Sequence, residues 1–419
     1  MTVKKTTGKL LKRAALTLII LLLAVSQPSC WDRREVEQLG LVLATAIDTA
    51  PNGRIRVTVQ NVNPAGLGKG TAGGTISGGV IGNKPYRNRT IEADSLFEAF
   101  RQLSKQTPRQ LFFAHNQEII FSENLARERG LKDILDFLDR NPQIRRTTWL
   151  LVGKGDLRKL LDEPGRLETT PAQRIQGIIE ERHLTSQYAP LRLGEFLEKM
   201  DSETTAPYTA IVERISNPSS TEEHKNRLSE GLISEPHMNI KINGTALFRG
   251  DKMAGRLNAR ESRGLLWVLG KVKGGSIEIP VPGQQGKLAS LEIIREKTKL
   301  KPEIRDGQVY MEITVKEDSS LAETGGNPNI SSPDTIKEME NLLAGAIKDE
   351  IRSALDKAQR EYRLDVFGFG EAVHRKYPRQ WKEMKNNWKE LYPDVQVEVR
   401  VEAVIRRTGM TTNPVKVKQ

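Results

Sequence analysis

The chain of 419 residues contains a single cysteine, Cys30, within the stretch SQPSCWDRREVEQLG. Ahead of it lies the apolar run AALTLIILLLAV at 14–25, preceded by Lys4, Lys5, Lys9, Lys12 and Arg13 with no acid among them. A helix that crosses a bilayer needs about 20 apolar residues, and this run has 12. A basic stretch, a short apolar stretch and then small or polar residues is the pattern of a secretory signal peptide. A thiol directly after such a leader suits thioether formation with a diacylglycerol, and cleavage then frees the cysteine's amine for a further acyl chain such as palmitate. Two or more chains hold a protein stably on a membrane, whereas one gives marginal binding. The expectation is a signal peptide over residues 1–29 and lipidation at Cys30. Gln27-Pro28-Ser29 stand where acylated cysteines usually follow Leu, a small residue and Gly or Ala. The competing reading is a free thiol left by ordinary signal cleavage.

Other reactive chemistry is sparse. One cysteine excludes an internal disulfide and a cysteine-rich metal site. The five histidines (His115, His183, His224, His237, His374) have no HxH or HxxxH spacing, so no metal is expected. GxSxG, HExxH and a Cys–His pair are all missing, and neither an enzyme nor a cofactor is expected. Residues 64–85 hold eight glycines. Gly68-Lys69-Gly70-Thr71 lacks the Lys–Ser/Thr adjacency of a phosphate loop, and no helix start follows, so this reads as a flexible loop or hairpin tip. The net charge of +12 is a mild basic excess that fits a nearby anionic membrane surface. No aromatic-plus-basic stacking motif or helix-turn-helix accompanies it, so nucleic acid is not an expected partner.

The elements that must position any site are readable from periodicity. Residues 39–47 form an apolar run of strand length, and 54–62 alternate with Ile55, Val57 and Val59 on one face. Pro51-Asn52-Gly53 between them predicts a hairpin. Helices are expected over 91–105, 124–139, 156–161, 172–187 and 193–202, and strands over 111–121, 146–153 and 209–215. That alternation implies α/β pairing around a sheet. The polar segment 216–236 reads as a linker. Strands follow over 239–248, 275–280, 288–304 and 309–317, with a short helix or turn at 265–270. A long amphipathic helix runs over 333–361, with Ile336, Met339, Leu343, Ile347, Ile351 and Leu355 in its stripe. A helix over 378–391 carries Trp381 and Trp388, and 395–406 alternate as a closing strand. The fold class is therefore α+β with mixed α/β character and more than one domain. The divisions are an N-terminal α/β region over 30–215, the linker, a C-terminal α+β domain over 237–408 and a tail over 409–419.

Several side chains deserve individual readings. His115 falls mid-strand and reads as a core or edge histidine. Asp139-Arg140 with Arg145-Arg146 reads as an ion pair at a helix end. Asp365 and the run Phe367-Gly368-Phe369-Gly370 read as a turn in which glycine supplies positive φ. Trp31 and Asp32, next to the membrane attachment, and Phe367, Phe369, Trp381 and Trp388 are candidates for contact with a partner, with core packing the competing role for the aromatic residues.

Taken in order, several blocks resemble one family, the Ger(x)C lipoproteins, which are C subunits of GerA-type spore germinant receptors. They are Cys30-Trp31-Asp32 with Glu35, Leu39 and Gly40; Ala46-Ile47-Asp48; FAHNQEIIF at 113–121; LDRNPQIR at 138–145; GTALF at 244–248 with Gly255-Arg256-Leu257 and Glu261-Ser262; and DVFGFG at 365–370 followed by Pro378-Arg379-Gln380-Trp381 and Trp388. The resemblance implies a three-domain mixed α/β fold and a non-enzymatic subunit on the outer face of the inner spore membrane. It also implies two integral-membrane partners, the A and B subunits, and a role in the response of spores to nutrients. A second functional expectation is a lipoprotein that itself binds a small germinant, an amino acid or sugar, in a cleft between domains.

Overall fold

The computed structural model describes residues 14–18, 35–67, 84–163, 167–216, 238–326 and 328–408. Its larger sheet has ten strands: β1 (Leu39–Thr49), β2 (Ile55–Val62), β3 (Tyr86–Ala93), β4 (Gln110–Phe112), β5 (Glu118–Ser122), β6 (Trp149–Lys154), β7 (Leu191–Arg192), β8 (Tyr208–Ser216), β9 (Met238–Arg249) and β10 (Lys252–Leu257). The order is β10-β9-β8-β6-β5-β1-β2-β3, with β4 beside β1 and β7 beside β6. The central strands β1, β5, β6 and β8 are mutually parallel. Parallel strands are covered on both faces and become apolar throughout, and β5 and β6 are buried along almost their whole length. The antiparallel pairs β2–β3 and β9–β10 flank this centre.

Helices cover both faces. On one lie α1 (Leu96–Ser104) and α2 (Lys132–Arg140), which bury Leu96, Phe100 and Leu103 and Ile134, Leu135 and Leu138. On the other lie α3 (Leu157–Asp162) and α4 (Pro171–Glu180), with Leu160, Leu161, Ile175 and Ile179 inside. Next along the chain is α5 (Leu193–Asp201), which buries Leu193 and Phe196. Three of these helices start on side-chain caps: Ser95 accepts from Glu98 N, Asp156 from Arg158 N and Thr170 from Gln173 N.

The second sheet has the order β11 (Ser276–Pro280), β12 (Leu288–Arg305), β13 (Gln308–Thr324) and β14 (Gln396–Arg407). β12 and β13 form a long hairpin turned by Asp306 and Gly307, both at positive φ. Two helices pack on this part, α6 (Ala259–Leu269) and α7 (Pro333–Leu355), the latter burying Met339, Leu343, Ile347 and Ile351. They approach so closely at Gly264 that an added Cβ would lie 2.1 Å from the Glu350 carbonyl oxygen. Beside that contact the Glu350 carboxylate accepts from Arg263 at 2.5 and 2.9 Å and from the Trp267 indole at 3.0 Å. One apolar core runs from β1 and β2 through α6 and α7 to β14, so both sheets share it. Among the described residues no helix is long and apolar enough to cross a membrane.

The mixed α/β, multi-domain class is as expected, and the hairpin at Pro51–Gly53 joins β1 to β2 with Asn52 and Gly53 at positive φ. Several boundaries differ. Residues 86–93 form strand β3 against β2, so the helix expected from residue 91 starts at Leu96. The helix expected over 124–139 is broken at Gly130, whose φ of 87° ends a π-helical turn, Leu125–Arg129. The strand expected over 111–121 is two strands with a turn between, so His115 is an exposed turn residue, not a mid-strand one. The long helix is α-helical to Leu355 and continues as a π-helical turn, Asp356–Glu361. The Gly-rich segment lies mostly outside the described residues, at 68–83, and the expected linker falls almost wholly at 217–237, also outside them. The strands on either side of the latter, β8 and β9, pair antiparallel from Tyr208↔Leu247 to Ser216↔Met238, so chain from both sides of it contributes to one sheet.

Candidate functional site

The expected lipidation site Cys30 and the expected contact residues Trp31 and Asp32 lie outside the described residues. The other four expected contact residues lie inside and are buried: Phe367 is 2% exposed, Phe369 0%, Trp381 3% and Trp388 1%. Their rings are packed within the protein, so the expectation of partner contact is corrected to core packing. The single helix expected for the two tryptophans is α9 (Pro378–Met384), followed by a separate turn Trp388–Leu391, and the indoles meet edge-on at 5.3 Å. Ahead of them α8 (Phe369–Lys376) starts at Gly368, which has φ 75°. The Asp365 carboxylate accepts from Phe369 N at 3.0 Å, Gly370 N at 2.8 Å and the Trp388 indole at 3.0 Å. Burial raises its pKa, and those three hydrogen bonds oppose the rise. Gly370 is obligatory here, since a Cβ would fall 2.6 Å from the Trp388 indole nitrogen. The Asp365 backbone carbonyl also accepts from Ala206 N, which ties this block to the N-terminal half. The Asp139–Arg146 pair is present as expected, with two guanidinium hydrogen bonds of 2.8 and 2.9 Å.

A cleft of about 380 Å³ opens between segments of the two halves of the chain. Its seam is set by close backbone approach. A Cβ on Gly274 would lie 2.6 Å from the His183 carbonyl oxygen, and one on Gly275, at φ 118°, 2.8 Å from that of Thr185. Ser186, itself at positive φ, donates from its hydroxyl to the Gly274 carbonyl at 2.8 Å. The strand-like stretch above is stitched to the sheet by Ala189 N to Thr245 Oγ1 and Leu191 N to Thr209 Oγ1. These bonds place Tyr188, Ala189 and Pro190 on one wall, with Tyr188 donating to the Ile178 carbonyl at 2.6 Å.

Trp149, at the start of β6, forms another part of the wall. The Arg192 guanidinium sits 4.8 Å and that of Arg182 5.5 Å from its ring centre. Lys271 and Lys273 enter from the segment after α6. Among the described residues none of these four cations makes an ion pair. The two acids of the cleft are held by neutral donors: Glu195 accepts from Arg192 N at 2.9 Å and Glu180 from the Gln176 amide at 2.7 Å. Tyr208, at the start of β8, is 1% exposed and its hydroxyl has no hydrogen-bond partner among the described residues. Burial, with the nearby Glu195 charge adding, pushes its pKa well up, so it stays a neutral phenol. Lys199 lies 5.3 Å from the Tyr208 ring centre; burial lowers its pKa and repulsion from Lys271 lowers it further. Beside Trp149, in register with it on β5, Glu118 is fully buried without a partner for either oxygen among the described residues, and burial raises its pKa well above the carboxylate range. Among the described residues no group of His, Cys, Asp and Glu is arranged to hold a metal.

None of the cleft residues was singled out from the sequence. The one local signal is basic pairing, Arg182-His183 and Lys271 with Lys273, which alone reads as solvated surface.

The ordered blocks, the fold and the two halves meet in the comparisons with known proteins. Residues 32–214 match the family described as spore germination protein N-terminal domain, and 243–409 match the one described as spore germination B3/GerAC like, C-terminal. The chain is 27% identical over 413 residues to spore germination protein KC of Bacillus subtilis (strain 168), covering 97% of this chain and 98% of that one. It is 22% identical to spore germination protein B3 of the same organism, covering 95% and 99%, and 21% identical to spore germination protein GerQC of Bacillus cereus, covering 94% and 99%. The fold is that of the GerBC crystal structure, with a TM-score of 0.55 at 20% identity, covering 89% of this chain and all of that one. These matches define a multi-domain spore germination protein. The chain belongs to the Ger(x)C family.

Proposed function

We propose that this chain is a non-enzymatic, lipid-anchored subunit of a nutrient germinant receptor, required for spore germination. Acylated Cys30 holds it to the outer face of the inner spore membrane, where it assembles with the integral-membrane A and B subunits. The observation that carries this reading is the placement of the one thiol directly between a 12-residue apolar run and the first residues of the matched family region. Relatives named as spore germination proteins and aligned over nearly the full chain support the receptor role. Among the described residues the tryptophans Trp149, Trp267, Trp381 and Trp388 are buried, which supports reading this part as a folded platform.

Cys30→Ala tests the anchor. The variant is expected to leave the membrane fraction and to lower the germination response to nutrients by at least tenfold. A Cys30→Ala chain that stays membrane-bound and supports a full response overturns the reading.

A further inference from the structure

The cleft between the two halves has no part in the anchoring role, and its chemistry is that of a ligand site. Its charge is unbalanced: Arg182, Arg192, Lys271 and Lys273 face two acids, Glu180 and Glu195, that are already engaged by neutral donors. The four cations outnumber the two acids, and an incoming anion offsets the excess positive charge. Tyr208 is a buried residue on this wall whose hydroxyl has no partner among the described residues, and an unmatched buried polar group carries a cost that a ligand acceptor removes. Trp149, Ala189, Pro190 and Leu266 give the wall an apolar part, beside His183, Ser186 and Tyr188. A volume of about 380 Å³ falls within the range of roughly 300–1,000 Å³ typical of small-molecule sites.

We propose that this cleft binds a small organic carboxylate with an apolar body. The Arg192 guanidinium and the Lys271 ammonium take the carboxylate, the Tyr208 hydroxyl donates to it, and the body lies against Trp149, Pro190 and Leu266. The apolar wall sets this ligand apart from inorganic phosphate, which carries the charge without the body. The requirement for a carboxylate also narrows the second sequence-based expectation, since an amino acid carries that group and an uncharged sugar does not. This inference rests on the cleft alone and stands or falls independently of the anchor at Cys30.

The test is calorimetric titration of the full-length chain in detergent with phenylacetate, with 2-phenylethanol (the same body without charge) and with inorganic phosphate. Phenylacetate is expected to bind saturably at one site, with the other two at least tenfold weaker. Tyr208→Phe and Arg192→Gln should each weaken phenylacetate by about tenfold, the scale of one hydrogen bond to a charged group, while circular dichroism and unfolding temperature show both variants folded. Absence of saturable binding at millimolar phenylacetate, phosphate or phenylethanol binding as tightly, or unchanged affinity in both folded variants overturns the proposal.

Discussion

Asp365 and Tyr208 are both buried polar groups, and both lie near the line where the N- and C-terminal halves meet. Asp365 offers two oxygens, and three donors, two backbone amides and an indole, are aimed at them. Tyr208 offers a hydroxyl, and nothing within the described residues meets it. A buried group whose partners are all supplied by the chain is a fastening. A buried group left without a partner among the described residues, beside an excess of cations, is a place where the fold accepts cost for something outside itself. The same side-chain types therefore do opposite work in two regions of one molecule.

The sharpest way to break this comparison is to remove the fastening. Asp365→Ala leaves the Phe369 and Gly370 amides and the Trp388 indole buried without an acceptor. The expected loss is about 3–5 kcal/mol, read as a fall in unfolding temperature of several degrees by calorimetry. A variant within about 1 kcal/mol of the parent would mean that the three bonds are not what holds this block.

Glu317 sharpens it from another side. It lies on β13, 2% exposed, with neither oxygen partnered among the described residues, and its register partner on β12 is another acid, Glu296. Burial, with the Asp318 charge adding, pushes its pKa up to about 8. A pKa raised on folding means that the native state holds a proton the unfolded chain has released. Below the unfolded pKa of about 4.5 nothing is lost; as pH rises from there to about 8 the native state is progressively destabilised, and above that the penalty is constant. Glu317→Gln should therefore raise stability by roughly 4 kcal/mol at pH 8, with no gain below pH 4.5. A pH-independent effect in denaturant titrations would show that this carboxyl does not titrate abnormally.

The smallest effect on stability is expected at Tyr208. Tyr208→Phe removes a hydroxyl that has no partner, so unfolding free energy should change by less than about 0.5 kcal/mol, or rise slightly. A loss of about 1.5 kcal/mol or more by chemical denaturation would reveal an internal partner and return Tyr208 to the class of Asp365.

How far these two regions were legible in the sequence follows from how local their signals are. The turn at Gly368 and the buried tryptophan pair come from one stretch of about 25 residues, so the block around Asp365 was visible as glycine, aromatic and acid in order. What periodicity missed there was the interruption between Met384 and Trp388, since a face count treats the segment as one helix. Strands β2 and β14 announced themselves by alternation. β3, YRNRTIEA, did not, because an edge strand with half-exposed polar residues has no apolar stripe. The cleft was invisible. Trp149, Arg192, Tyr208 and Lys271 stand on separate segments; the pairing of β6 with β7, which sets Trp149 opposite Arg192, the pairing of β6 with β8 and the close approach of Gly274 and Gly275 to residues 183–185 bring them together. Spacing in sequence carries no trace of a juxtaposition that backbone contact creates.

The account of function rests on Cys30, and the most direct measurement is the mass of the mature N-terminal peptide from spore membranes. It should begin at Cys30 and carry the added mass of a diacylglycerol, with or without a further acyl chain on the amine. A peptide that begins elsewhere, or one that begins at Cys30 with an unmodified thiol, would contradict it.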